Sequence, residues 1–174
     1  MTRNVEIKAR VPDRDEIVRL SKELTGKDPV LLKQHDIFYN SPNGRLKMRT
    51  VEEDGKRRSE LIWYDRPDVA GPKLSEYNKF DVPENMLDSI KLTLTTSMGI
   101  KGEVKKHRYL VLYEQTRIHI DTVEGLGNFM ELEVVLSPDQ TVEEGEKTAQ
   151  FIREKLNVKD EDLLTGAYMD MLQA

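Results

Sequence analysis

The sequence has 174 residues, of which 37% are hydrophobic and 34% are charged, and it carries a net charge of −5. This length and apolar content suit one globular domain spanning residues 1–174, and the acidic balance argues against a nucleic-acid binder held by bulk electrostatics. The absence of cysteine excludes disulfide and thiolate chemistry, and no apolar run approaches the roughly 18 residues that cross a bilayer.

The predicted elements begin with a strand in which polar and apolar residues alternate strictly. In the segment NVEIKARV, residues 4–11, Glu6 and Lys8 face one way and Val5 and Ile7 face the other, a period typical of β-strands. The further predicted elements are a helix at 14–24, strands at 31–40, 45–53, 57–67 and 73–82, a helix at 84–98, strands at 102–115, 116–127 and 129–137, and helices at 142–156 and 167–172. Roughly eight strands joined mostly by hairpin turns predict an α+β protein with an antiparallel sheet or barrel and helices packed outside.

Charged side chains share one face in strand after strand of this pattern. One such face suits the solvated side of a sheet, but together they favour a closed eight-stranded antiparallel barrel with charge inside and apolar residues outside, under the helices. In the strand at 102–115 both faces carry charge, so the pattern does not decide whether Lys106 and Arg108 or Lys105 and His107 point inward. The other sets that share a face are Asn4, Glu6, Lys8 and Arg10; Arg45, Lys47 and Arg49; Arg58 and Glu60; Lys73 and Ser75; Arg117, His119 and Asp121; and Glu131 and Glu133.

A lumen rich in basic groups requires compensating negative charge. Carboxylates supply part of it, and a polyphosphate with a metal ion would supply the rest. Glu131 and Glu133 are neighbours on one strand face, and with Glu6 they form either an oxygen-rich corner for Mg²⁺ or Mn²⁺ or separate pairs with inward Arg and Lys. Asp121 is a better candidate than His119 for metal or water positioning, because a lone histidine on such a face is more often structural.

Several segments of the sequence occur in the order seen in a known family. They are NVEIKA, GRLKMR, RPDVAGPKLSEY, VKKHRYLV and RIHIDTVEGLGNFMELEV. Together they resemble the CYTH family, named for CyaB-type (class IV) adenylyl cyclases and thiamine triphosphatases, and the resemblance runs from Asn4 to about Tyr168. It implies the triphosphate tunnel fold, a closed antiparallel barrel of eight strands with a polar lumen, and metal-dependent chemistry on a small-molecule triphosphate.

The resemblance also implies roles for individual residues. Phosphate oxygens would be bound by Lys8, Arg45, Lys47, Arg49 and Lys106 or Arg108, with Arg117 and Lys73 as further lumen candidates. A divalent metal, Mg²⁺ or Mn²⁺, would be held by Glu6, Glu131 and Glu133, while Asp121 would help to bind a second metal or orient water. Among these residues, Lys8, Arg49 and Asp121 are the expected catalytic ones.

Two positions depart from the family pattern. Asn4 stands where the motif Glu-x-Glu-x-Lys has its first Glu, and an amide brings no negative charge, so a metal site there would be weaker. Ile62 stands where thiamine triphosphatase-like members tend to have Lys, which argues against specificity for thiamine triphosphate.

Four functions remain open at this point. Hydrolysis of a phosphoanhydride in a triphosphate is the leading hypothesis, and conversion of ATP to cyclic AMP and pyrophosphate is the second. The third is a polyphosphate- or nucleotide-binding module without turnover. The fourth is a β-sheet with one solvent-exposed face that is used for protein contacts. A cytoplasmic protein is the simplest expectation, and the sequence leaves open whether it forms a homodimer.

Overall fold

The computed structural model describes residues 2–173, in which eight strands and four α-helices follow one another as the sequence predicts. The strands are β1 (Thr2–Arg10), β2 (Val30–Tyr39), β3 (Arg45–Glu53), β4 (Lys56–Asp65), β5 (Lys73–Val82), β6 (Ile100–Tyr113), β7 (Thr116–Val123) and β8 (Gly127–Leu136). The helices are α1 (Arg14–Thr25), α2 (Glu84–Met98), α3 (Val142–Lys155) and α4 (Tyr168–Gln173), with a short 3₁₀ turn at Asp160–Asp162.

The strands close into a barrel with the order β1-β5-β4-β3-β2-β6-β7-β8, and every neighbouring pair is antiparallel. β8 pairs back onto β1, so that Glu6 lies opposite Glu133 and Lys8 lies opposite Glu131. Closure leaves the sheet without an open edge, and the alternation of side chains then divides every strand into a lumen face and an outer face. The predicted closed barrel is confirmed.

Local turn chemistry explains why the hairpins form where they do. Between β3 and β4, Asp54 and Gly55 both have positive φ, 50° and 75°. This pair of left-handed residues belongs to the two-residue turn whose twist matches that of the flanking strands, and Asp-Gly is one of its preferred sequences. The turn therefore fixes the register that opposes Arg49 to Glu60 and Val51 to Arg58.

The helices cover the apolar outer face of the barrel. The Asp13 side chain caps α1 by accepting a hydrogen bond from the Glu16 N–H at 3.2 Å, and α3 begins with a capping box at Thr141. α3 approaches the sheet closely, because a Cβ placed on Gly145 would lie 2.7 Å from both Val5 and Leu136 side chains. The main core, which includes Val5, Ile7, Ile118, Ile120 and Leu132, therefore lies between the barrel and α1 and α3.

The structure decides which face of β6 points inward. Lys106 and Arg108 are both 4% exposed and lie in the lumen, whereas Lys105 and His107 are exposed on the outer face. The lumen differs from the expectation of a charged interior at one end, where Phe38, Val104 and Phe129 pack with Tyr168 and Met169. Because α4 covers this end, its lumen positions are part of a packed core. No helix in residues 2–173 is long and apolar enough to span a membrane.

Candidate active site in the barrel lumen

The lumen contains a cavity with a water-accessible volume of about 190 Å³. That volume is room for several waters or a chain of phosphates but not for a macromolecule. Among residues 2–173, nine Lys and Arg side chains but only five Asp and Glu side chains line the cavity. The predicted site residues that line it are Glu6, Lys8, Lys47, Arg49, Lys106, Arg108, Arg117, Glu131 and Glu133.

A buried carboxylate that the sequence analysis missed organises the basic side of the cavity. Asp36 in β2 is 1% exposed and accepts two hydrogen bonds from Arg49, at 2.7 and 2.8 Å. Lys47 and Lys106 lie 3.4 and 3.3 Å from its second oxygen. Burial alone would raise the pKa of Asp36, but the charges of Arg49, Lys106 and Lys47 outweigh burial and hold this pKa well below its usual range. Asp36 therefore stays ionised and fixes three cations around one point.

Two lysines in the lumen are poised to change their protonation. Burial lowers the pKa of Lys8 from 10.5 to about 7, although Glu131 lies 3.8 Å away. The pKa of Lys47 also falls to about 7, because the side chain is buried beside Arg49, and the charge of Asp36 only partly opposes this effect. Both shifts have the same physical cause, since low solvation and neighbouring cations penalise another positive charge. An anion bound beside these lysines would restore their ordinary protonated form.

The acidic side of the cavity is built across β1 and β8. Burial and repulsion from Glu133 raise the pKa of Glu6, although Arg66 donates to its carboxylate at 2.8 Å. Glu133 accepts a hydrogen bond from Arg117 at 3.0 Å, and Glu131 lies 3.6 Å from Arg108. The three predicted metal ligands thus lie close enough to repel one another, and each is also paired with a cation.

Asp121 lies behind the cavity wall, where it is fully buried. Arg108 donates two hydrogen bonds to it, both at 2.8 Å, and the Tyr168 hydroxyl donates a third at 2.9 Å. Because all of these bonds end on its two oxygens, the predicted role in binding a second metal or water requires Arg108 or Tyr168 to release one oxygen. In the present arrangement Asp121 orients Arg108 toward the cavity.

Two further predicted phosphate ligands lie outside the cavity lining. Arg45 donates to Asp170 of α4 at 2.7 Å, and Lys73 donates to the Val69 carbonyl at 2.9 Å. His119 lines the cavity 3.5 Å from Glu133, and burial together with the nearby Arg108 charge lowers its pKa to about 3. It is therefore neutral at pH 7.

The geometry described above can be compared with known proteins. The family model described as the CYTH domain matches residues 2–168. The chain belongs to the CYTH family. This confirms the family resemblance found in the sequence.

One sequence relative and two solved structures match nearly the whole length of this CYTH protein. A Methanocaldococcus jannaschii protein named "Putative adenylate cyclase" is 25% identical over an alignment of 177 positions, which covers 96% of this chain and 97% of that protein. The structure of a Pyrococcus horikoshii protein has a TM-score of 0.79 at 23% identity and covers 96% of this chain and 98% of its own. The structure of a Hippeastrum protein described as a "putative adenylyl cyclase" with a "dominant" triphosphatase activity has a TM-score of 0.63 at 16% identity. The match covers 97% of this chain and 94% of that protein. At these identities the two structural matches show the fold alone.

The CYTH family implies a divalent metal, and the residues of this chain fit one in donor chemistry. Glu6, Glu131 and Glu133 offer the carboxylate oxygens that Mg²⁺ and Mn²⁺ prefer. Asn4 adds an amide oxygen that is buried and has no hydrogen-bond partner in the described part of the chain. Among residues 2–173, however, no three acidic or histidine side chains converge into a preassembled site. A metal held by these residues would compete with the cations that now pair with them.

Three residues of the CYTH lumen were missed by the sequence analysis. Asp36 shares the parity of Gln34 within β2, and Arg66, one residue beyond β4, continues the parity of Glu60. Applying the period-two pattern to β2 and to the end of β4 would therefore have found them. Tyr168 carried no such signal, because its place over the Lys8 amine, 4.0 Å from the ring centroid, depends on how α4 covers the barrel end.

Proposed function

We propose that this CYTH protein is a divalent-metal-dependent triphosphatase that binds a small triphosphate in its lumen. The observation that carries the proposal is the excess of cations in the cavity lining, where nine Lys and Arg side chains face five Asp and Glu side chains among residues 2–173. A bound polyanion would supply the charge that the carboxylates leave uncompensated, so the cavity fits a ligand with many negative oxygens.

The side chains present would act mainly by positioning and by stabilising charge. In phosphoryl transfer the charge is spread over the phosphoryl oxygens, and fixed cations in a site shielded from water stabilise it strongly. Lys8, Lys47 and Arg49 would bind these oxygens, with Arg49 and Lys106 held in place by Asp36. Arg108, held by Asp121, would contact the next phosphate along the lumen. A metal ion bound by Glu6, Glu131 and Glu133 would supply charge neutralisation and activation of water.

The test is phosphate release from tripolyphosphate, ATP and thiamine triphosphate with Mg²⁺ or Mn²⁺. Glu133→Gln removes one proposed metal ligand without changing side-chain size, and we expect a rate loss on the order of 10²–10³. Glu103→Gln is the matched control, since Glu103 lies on the outer face of β6 and its side chain is 47% exposed. No phosphate release from any substrate, or equal rates for both variants, would contradict the proposal.

A second candidate function is cyclisation of ATP to cyclic AMP and pyrophosphate. It is favoured by the name of the archaeal relative, which is 25% identical along almost the full length of both chains. The same cations would hold the triphosphate, and the ribose 3′-oxygen would attack the α-phosphorus. Chromatography of the ATP reaction distinguishes the two functions, because cyclisation yields cyclic AMP and pyrophosphate whereas hydrolysis yields free phosphate. Tight binding without either product would instead indicate a binding module.

A further inference from the structure

One buried side chain of the lumen has no hydrogen bond that accounts for its burial. His119 of β7 lines the cavity and is 4% exposed. Its Nδ1 is buried without a hydrogen-bond partner in residues 2–173, and its Nε2 faces Glu133 at 3.5 Å, which is longer than an ordinary hydrogen bond. A buried imidazole in this state costs free energy, because its nitrogens lose water on folding and gain no protein partner in return. The ring is therefore placed to receive a partner from outside the chain.

The distance between His119 and Glu133 fits two atoms that share one metal ion. Nitrogen and oxygen ligands lie roughly 2.0–2.2 Å from such ions, and two ligands at tetrahedral or octahedral angles are then about 3.0–3.5 Å apart. The His119 Nε2 and the Glu133 Oε1 are separated by 3.5 Å, at the upper end of this range. A direct hydrogen bond between them would instead bring the two atoms to roughly 2.7–3.2 Å.

Glu133 is the lumen carboxylate that is most easily released from its present partner. Glu6 is held at 2.8 Å by Arg66, whose side chain is only 5% exposed, and Glu131 has two buried cations within 4 Å. The partner of Glu133 is Arg117, which donates to it at 3.0 Å and is 27% exposed. Arg117 can therefore turn toward solvent without becoming a buried unpaired charge, and an ion can take its place.

Asn4 offers a further donor on the other side of Glu133. Glu133 lies opposite Glu6 of β1 and opposite Arg117 of β7, so that Asn4 and His119, each two residues further along, are its diagonal neighbours. Diagonal neighbours lie roughly 7–8 Å apart, within reach of the longer side chains. The Asn4 Oδ1 is also buried without a partner in the described residues. Because Asn4 stands where the family motif has Glu, the donors around Glu133 are an amide oxygen and an imidazole nitrogen.

We infer that His119 is a nitrogen ligand to the metal ion of the lumen, together with Glu133 and Asn4, and that the site therefore selects Zn²⁺ or Co²⁺ over Mg²⁺. Imidazole suits borderline transition-metal ions, whereas Mg²⁺ prefers carboxylate, carbonyl and water oxygens. The inference rests on the proposed function, because it concerns the ion that would act on the bound phosphates. It also reverses the order expected from sequence, in which Asp121 ranked above His119, since the two oxygens of Asp121 already accept three hydrogen bonds.

The experiment is calorimetric measurement of Kd for Zn²⁺, Co²⁺ and Mg²⁺, each titrated alone into the full chain. His119→Phe keeps a ring of similar size but offers no nitrogen. We expect it to weaken Zn²⁺ and Co²⁺ by about ten-fold or more, since loss of even a residue that supports a ligand costs about 10- to 100-fold in metal affinity. The Kd of Mg²⁺ should change by less than about three-fold in the same variant, because Mg²⁺ depends on oxygen ligands. The visible absorption bands of bound Co²⁺, which depend on the atoms that contact the ion, should also shift.

His107→Phe is the matched control, because His107 is exposed on the outer face of β6, and it should change none of the three affinities. If His119→Phe does not fold, His119→Gln replaces it and should weaken Zn²⁺ but not Mg²⁺, since its amide offers oxygen in place of nitrogen. Equal effects on Zn²⁺ and Mg²⁺, unshifted Co²⁺ bands, or Mg²⁺ binding as tight as that of Zn²⁺ overturns the inference. Phosphate release from tripolyphosphate with Mg²⁺ in the same preparation then shows that the proposed function stands. Absence of binding by all three ions, together with absence of phosphate release, overturns both.

Discussion

Binding of a triphosphate should be accompanied by uptake of protons from solution. Lys8 and Lys47 have pKa values of about 7 in the ligand-free protein, because both are buried and have cationic neighbours. A lysine with that pKa is roughly one-tenth protonated at pH 8, so restoring the charged form takes up about 0.9 proton per lysine and about 1.8 in total. At this pH the single terminal phosphate of ATP, with a pKa near 6, has already lost its proton, and the uptake on binding of ATP therefore reports on the protein.

The assay is calorimetric titration with ATP at pH 8, with a chelator present, in two buffers that differ in ionisation enthalpy. The dependence of the observed heat on the buffer gives the number of protons taken up per ligand bound. Lys8→Met should lower this number by about 0.9, because a lysine with a pKa of about 7 takes up that fraction of a proton at pH 8. Lys105→Met, on the exposed outer face of β6, should leave it unchanged. Uptake below about 0.5 proton in the unmodified protein, or an unchanged value in Lys8→Met, would refute the assignment of these lysines to the anion site.

Three further predictions follow from the same charges. Asp36→Asn should lower the free energy of unfolding by about 3–5 kcal/mol in urea titrations, because it leaves three buried cations without their carboxylate. Glu103→Gln serves as the control for this variant. A loss below about 1 kcal/mol in Asp36→Asn would contradict the role of Asp36. Stability should rise as the pH increases from about 7 toward 10, since the unfolded chain, with lysine pKa values near 10.5, then binds more protons than the folded protein. In Lys8→Met the rise of the free energy of unfolding with pH should be smaller by up to about 1.4 kcal/mol per pH unit. Parallel stability curves for the variant and the unmodified protein would argue against the lowered pKa of Lys8. Chelation of the divalent metal should abolish phosphate release but change the Kd of tripolyphosphate, measured by calorimetry, by no more than about ten-fold. The reason is that the phosphates contact protein cations directly. Loss of both phosphate release and binding would show that the metal carries the binding.

The sequence by itself determined the architecture and the direction of most lumen side chains. Strict alternation in the segment 4–11 and its repetition along the chain divide every strand into an inner and an outer face, because successive side chains point to opposite sides of a sheet. The charged residues Glu6, Lys8 and Glu133 therefore lie in the lumen as predicted, and the apolar partners lie under the helices. Turn residues such as Asp54 and Gly55 marked the ends of strands from local sequence alone.

Only the tertiary structure decided which opposite charges meet. Arg66 reaches Glu6 across 60 positions of sequence, Lys106 reaches Asp36 across 70, and Arg45 reaches Asp170 across 125. A period-two pattern carries no information about such pairs, because they depend on the strand order and on the shear with which the barrel closes. The lowered pKa of Lys8 and Lys47 depends in turn on burial and on those neighbours, and so could not be read from the chain. For the same reason the face of β6 was settled only when its register with β2 and β7 placed Lys106 and Arg108 inside.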